Sequence, residues 1–264
     1  MKKGSMKVSF LRRNVAAVLA IALIATFAPV ASFAAENGNK QDKTNDMEQQ
    51  AQQIQEAQRA QQIQEATSKI RGTSANTVNT LATATKKSGI FSYQEAYGGV
   101  RITNSTSKTP TIPKTLAGKT VLEVNLYGKG LTSINVTKAT GLEWLDVGMN
   151  KLKKLDVTKN TKLLFLSATN NKLTAINTTK NTKLFFLQAA NNVIKKVDLT
   201  KNTKLDTLYI EKNSISSINL KKNTALTSLD ISGNTLSTID VTKNTKLTFL
   251  AVPSNKLTKM DVKK

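Results

Sequence analysis

The sequence predicts a solenoid, α/β-type or mainly β, built of about seven coils of 21 residues, and three observations predict it. Asparagines recur at a spacing of 21 in two sets. One set is Asn160, Asn181, Asn202, Asn223 and Asn244, and the other is Asn150, Asn171, Asn192, Asn213, Asn234 and Asn255. Units starting at Leu142, Leu163, Leu184, Leu205, Leu226 and Leu247 keep the frame LxxLxAxxNxhxxhxxTKNTK, where h is aliphatic and the Ala position accepts other apolar residues. Near the start of each unit, apolar and other residues alternate, which is the period of a short strand.

The unit from Leu163 shows how such a coil closes. Leu163, Leu166, Ala168, Leu173 and Ile176 point inward and stack on their equivalents in the coils above and below, so burial is possible only as an array. The Asn after the strand sits where the chain bends. Its amide can satisfy backbone groups that the bend leaves unpaired, so the ladder from Asn150 to Asn255 is expected to be structural. The frame LxxLx(L/V/I/A)xxNx(L/I) resembles the leucine-rich-repeat signature over about residues 120–264. In particular the chain resembles bacterial surface and secreted proteins of that kind, the internalin-like group included, although their commonest repeat is about 22 residues. The resemblance implies a curved solenoid whose concave face recognises a protein ligand, often on a host cell.

The other elements follow in chain order. Lys2, Lys3, Lys7, Arg12 and Arg13 precede an apolar stretch from Val15 to Ala28, and Ser32, Phe33 and Ala34 bring small residues to a cleavage position, so residues 1–34 read as a signal peptide. Residues 35–85 are a Gln-rich spacer, helical or disordered, with the duplication AQQIQEAQR and AQQIQEATS. Residues 86–120 are expected to form a β cap, with a hairpin from Ile90 to Thr103 turning at Gly98 and Gly99 over the open end of the core. The solenoid occupies 121–264. Its first coil places Val121, Val124 and Leu126 inward but has Lys129 at the Asn position. No cap is visible after Met260 and Val262, so end-to-end self-association is expected. No sortase-type sequence is present, and covalent wall attachment is not expected.

Composition narrows the chemistry. The absence of cysteine and histidine excludes disulfides, Cys/His zinc sites and histidine general bases. No phosphate loop or GxSxG is present. Asp156, Asp198, Asp240 and Asp261 alternate with Asn135, Asn177 and Asn219 at one repeat position, which suits hydrogen-bonded turns and not acid/base work. We therefore expect neither an enzyme nor a cofactor or metal.

Two faces are candidates for binding. Residues between the inward ones should project from the concave face, where Trp144, Phe165 and Phe186 form an exposed aromatic ridge, with Tyr209, Phe249, Asp146 and Gln188 beside it, suited to a protein ligand. On the opposite loops, Lys138, Lys159, Lys180, Lys201, Lys222 and Lys243 form a column. With a formal charge of +22, that column suits anionic wall polymers; nucleic acid is not the expected partner. Regular threonines give a remote third reading, an ice-binding solenoid, which the interleaved lysines oppose.

Overall fold

The computed structural model describes residues 85–96 and 98–262. The expected signal peptide and nearly all of the expected spacer, with its duplication, lie outside the described residues. The described part begins as an antiparallel meander of β1 (Lys86–Ser88), β2 (Phe91–Ala96) and β3 (Gly99–Ser105). β3 then pairs parallel with β5 (Lys119–Asn125), on which β4 (Thr115–Leu116) folds back. The hairpin thus continues the sheet of the coils. Gly99 permits the approach of β3 to β5, because a Cβ there would lie 2.5 Å from the Thr120 carbonyl oxygen.

Each later coil supplies one three-residue strand. These are β6 (Trp144–Asp146), β7 (Phe165–Ser167), β8 (Phe186–Gln188), β9 (Thr207–Tyr209), β10 (Ser228–Asp230) and β12 (Phe249–Ala251), parallel throughout and in register at the 21-residue repeat. With β3 and β5 they make eight parallel strands, one more than a count of about seven coils provides, because the cap lends a strand. Of the two architectures open from sequence, the structure is mainly β, with no helix among the described residues. On the return side, β11 (Thr238–Asp240) and β13 (Lys259–Asp261) form a separate parallel pair.

The core follows from the frame. Leu145, Leu166, Leu187, Leu208 and Leu229 occupy the strand centres and are fully buried, and Leu142, Leu163, Leu184, Leu205 and Leu226 stack beside them. At about 2 kcal/mol for each buried leucine, such columns hold neighbouring coils together. The sequence frame missed one inward column, Val136, Val157, Thr178, Leu199, Leu220 and Val241, in which a threonine interrupts the apolar pattern. Thr178 is fully buried, and its hydroxyl donates to Asn202 Oδ1 at 3.0 Å.

Each coil bends just before its ladder asparagine, through a residue in the left-handed region. Met149, Asn170, Asn191, Lys212 and Ser254 have φ between 51° and 57°, and glycine holds the equivalent place at Gly128 and Gly233. Asparagine and glycine tolerate this conformation; methionine and lysine do so at some cost.

Candidate functional site: the strand face

Ladder pairing fixes which outward side chains become neighbours. Glu123, Trp144, Phe165, Phe186, Thr207, Ser228 and Phe249 form one column across β5 to β12, and Asn125, Asp146, Ser167, Gln188, Tyr209, Asp230 and Ala251 form the next. The rings of Trp144 and Phe165 stack with centroids 3.6 Å apart and planes within 2°, and Phe165 stacks on Phe186 at 4.6 Å. Tyr209 meets Phe186 edge to face at 6.0 Å, carrying the aromatic row into the second column. Phe185 packs against the same cluster.

The expected exposed ridge is corrected by this geometry. Trp144, Phe165 and Phe186 are buried, since parallel in-register strands set their rings face to face and each covers its neighbours. Phe249 does not join them. Thr207 and Ser228 intervene, and Phe249 instead lines a recess at the last coil with Leu247, Leu250 and Val262.

The polar side chains of the face are organised as turns and pairs. Asp146 and Asp230 accept hydrogen bonds from the backbone N–H groups of Gly148 (3.1 Å) and Ser232 (2.9 Å), and the Ser232 hydroxyl also donates to Asp230. Asp206 accepts the hydroxyls of Thr207 and Thr227. Glu123 is buried in an ion pair with Arg101 of β3. Gln188 is buried beside Ser167 and Tyr209 in the second column. Beyond the strand ends, Glu211 is partly buried. Burial, and then the charge of Asp230, push its carboxyl up to about 7, against the opposing pull of its own backbone N–H and of Lys212. Sequence reasoning did not single out Glu211; the signal available was an acidic residue at a repeat position that Tyr127, Gly148, Thr169, Ala190, Ser232 and Pro253 hold without charge.

The other candidate columns lie elsewhere. Lys138, Lys159, Lys180, Lys201, Lys222 and Lys243 are all exposed on the loops remote in sequence from the strands. The ladder asparagines are half-buried or buried, and Asn150 shows their common pattern. Its Oδ1 accepts the Leu131 N–H at 2.8 Å, while its Nδ2 donates to the carbonyls of Leu126, Val147 and Gly148 at 2.9 to 3.0 Å. Asn171, Asn192, Asn213, Asn234 and Asn255 likewise donate to carbonyls of their own and the preceding coil. The second asparagine set, from Asn160 to Asn244, had served only to mark the period. It is buried too, and Asn181 Nδ2 donates back to Val157 and Asn160.

Parallel strands repeating every 21 residues, aliphatic columns inside and an asparagine ladder at the bend define a leucine-rich-repeat solenoid. No protein-family model and no curated protein matches the chain. Among solved structures it is similar to the functional domain of InlJ from Listeria monocytogenes, which includes a cysteine ladder, at 30% identity and a TM-score of 0.41 over 57% of this chain and 36% of that one. It is also similar to a leucine-rich-repeat protein of Leptospira interrogans, at 19% identity and a TM-score of 0.45 over 52% of this chain and 44% of that one. Similarity to the internalin InlF of Listeria monocytogenes is 18%, with a TM-score of 0.35 over 55% of this chain and 68% of that one. The chain thus spans less than half the length of the first two. Among the described residues no helix is long and apolar enough to cross a membrane, and no group of three or more metal-ligating carboxylates is present.

Proposed function

We propose that this chain is an exported protein-interaction module that takes a protein ligand on its strand face, adhesion to a host-cell protein being the case that the internalin resemblance favours. The observation that carries the reading is the half-buried pair Phe185 and Tyr209, packed on the buried stack of Trp144, Phe165 and Phe186 at the middle of the strand face. Aromatic side chains held in place by a buried stack offer a rigid contact at small entropic cost, which is how protein interfaces are commonly anchored. The test is capture from host-cell extracts and from isolated bacterial walls, each at low salt and at about 0.5 M salt, where screening lengths fall to a few Å. One host protein retained in high salt, and lost on Tyr209→Ala or Trp144→Ala with the melting curve preserved, supports this reading. Its absence removes it.

A second reading has its own observation: every lysine of the Lys138 to Lys243 column is exposed on one set of loops. Like charges stacked at strand spacing repel one another, and an anionic wall polymer would relieve that repulsion. Retention on walls that disappears in high salt and is indifferent to Trp144→Ala would favour a wall-associated structural role.

A further inference from the structure

The strand face is electrically unlike the rest of the protein. From Ile112 to Lys264 the chain holds 25 lysines, yet none falls among the outward residues that run from Leu122 to Tyr127 in β5 and its flanks, or at the equivalent places in the six coils that follow. Those same places hold Glu123, Glu143, Asp146, Asp206, Glu211 and Asp230, in a chain whose formal charge is +22. Of the cations beside this set, Arg101 is already paired with Glu123, and Lys212 follows Glu211 just beyond the face.

The acidic groups are also placed with the rings. Tyr209 stands between Gln188 and Asp230 in its column, Asp206 follows Phe185 along the adjoining one, and Glu211 lies two residues beyond Tyr209. Polar atoms aimed into the face remain without partners. Ser167 Oγ, Thr169 Oγ1 and Glu211 Oε2 are buried and make no hydrogen bond among the described residues, although Ser167 and Thr169 are at most 5% exposed.

We infer that the ligand of the strand face presents a cationic, extended polypeptide segment, whose arginine or lysine side chains pass over the half-buried Phe185 and Tyr209 and reach the carboxylates of Glu143, Glu211 and Asp230. The chemistry is cation–π contact with Phe185 and Tyr209, the rings of the cluster that are not buried, together with charge-assisted hydrogen bonds to the acids. The span from β6 to β10 is roughly 19 Å, which an extended segment of about six residues covers. Lysine is kept off the face because it would repel such a ligand, while the loops of the same coils carry it freely. This rests on the strand face being the interaction surface, and it adds the sign of the partner.

Trp144 is the only tryptophan in the chain, so its fluorescence reports on the face directly. The probes are capped peptides of about ten residues with alternating Arg–Ala, Gln–Ala or Glu–Ala sequence, enough to span the face when extended. The Arg–Ala peptide should shift Trp144 emission in a saturable way, and the other two should not. Since a polycation is repelled by the net charge of +22, saturable binding requires a local acidic site. The double variant Glu211→Gln with Asp230→Asn should weaken binding on the order of tenfold. Asp156→Asn with Asp198→Asn, on the opposite turns, should leave it unchanged. Equal or tighter binding of the Glu–Ala peptide, no response to the Arg–Ala peptide, or an unaffected double variant overturns the inference. A captured host protein that depends on Trp144 but is not displaced by the Arg–Ala peptide also overturns it, while leaving the proposed function standing.

Discussion

At the scale of single residues, the ladder asparagines concentrate more hydrogen bonding than any other side chain here. Asn192 accepts the Leu173 N–H at 2.9 Å and donates to the carbonyls of Ala168, Ala189 and Ala190. Asn192→Ala leaves the buried Leu173 N–H unpaired and takes one of two donors from each of the three carbonyls, which keep Asn171, Asn213 and the Asn170 N–H, and we expect a loss of about 3 kcal/mol in urea unfolding. Asn192→Asp should cost more, because a carboxylate offers no donor and faces three carbonyl oxygens. An Asn192→Ala protein as stable as the parent would mean that the ladder is not structural. Glu211 acts in the opposite sense. Its folded carboxyl titrates at about 7 against an ordinary value of 4.5, so the folded state holds a proton that the unfolded chain releases. Stability should therefore decline as pH rises between those two values. Glu211→Gln should flatten the decline, as melting temperatures at pH 4.5, 6 and 7.5 would show.

At the scale of the coil, the two bends have different chemistry. The bend before the ladder needs a left-handed residue, and Met149 adopts it at φ 52° without asparagine's local hydrogen bonding or glycine's freedom. Met149→Gly should stabilise the protein by about 1 kcal/mol in thermal unfolding; a loss would mean that the methionine side chain packs more than its exposure suggests. The bend on the return side is an Asx turn. The Thr158, Thr200 and Thr242 hydroxyls and then their N–H groups donate to Asp156, Asp198 and Asp240, holding these carboxyls below the ordinary 3.8. A depressed folded value gives stability that is present above 3.8 and lost as pH falls through the folded values. Asn135, Asn177 and Asn219 make the equivalent turn without a charge. Replacing the three aspartates by asparagine should thus remove part of the acid-induced loss of stability below pH 4 and leave neutral stability nearly unchanged.

These coils also show what could be read from sequence. The strands and most inward columns were legible because period 21 superposes six copies, so any position that is always aliphatic declares itself. The column containing Thr178 did not, since one hydroxyl hides an inward position whose polar atom finds Asn202. Nor did the burial of Trp144, Phe165 and Phe186. Alternation says only which side of a strand a residue faces, and stacking between strands depends on register and ring orientation. Glu211 was illegible for a related reason, because its burial and its proximity to Asp230 come from a neighbouring coil and not from its own surroundings in the chain.

For the array as a whole, stability is a sum of coil and interface contributions, and so it need not be even along the chain. In the central coils the strand leucines are fully buried, but at the last one Leu247, Leu250, Val252 and Leu257 are only partly covered, and Met260 and Val262 are 47% and 49% exposed. Among the described residues β12 accordingly pairs with a strand on one side only. At the other end the meander supplies buried Phe91, Tyr93, Val100 and Ile102, so the first coils have neighbours on both sides. Unfolding by thermal fluctuation should therefore begin at β12 and β13 and run toward β8. Hydrogen exchange at neutral pH checks this: the Phe249 and Leu250 amides should exchange faster than those of Leu187 and Leu208, by a factor on the order of a hundred for about 3 kcal/mol of missing interface. If the open end seats a second copy, protection at β12 should rise with protein concentration while that at β8 stays constant. Uniform protection at all concentrations would mean that the solenoid unfolds as one cooperative unit in spite of its uncovered last coil.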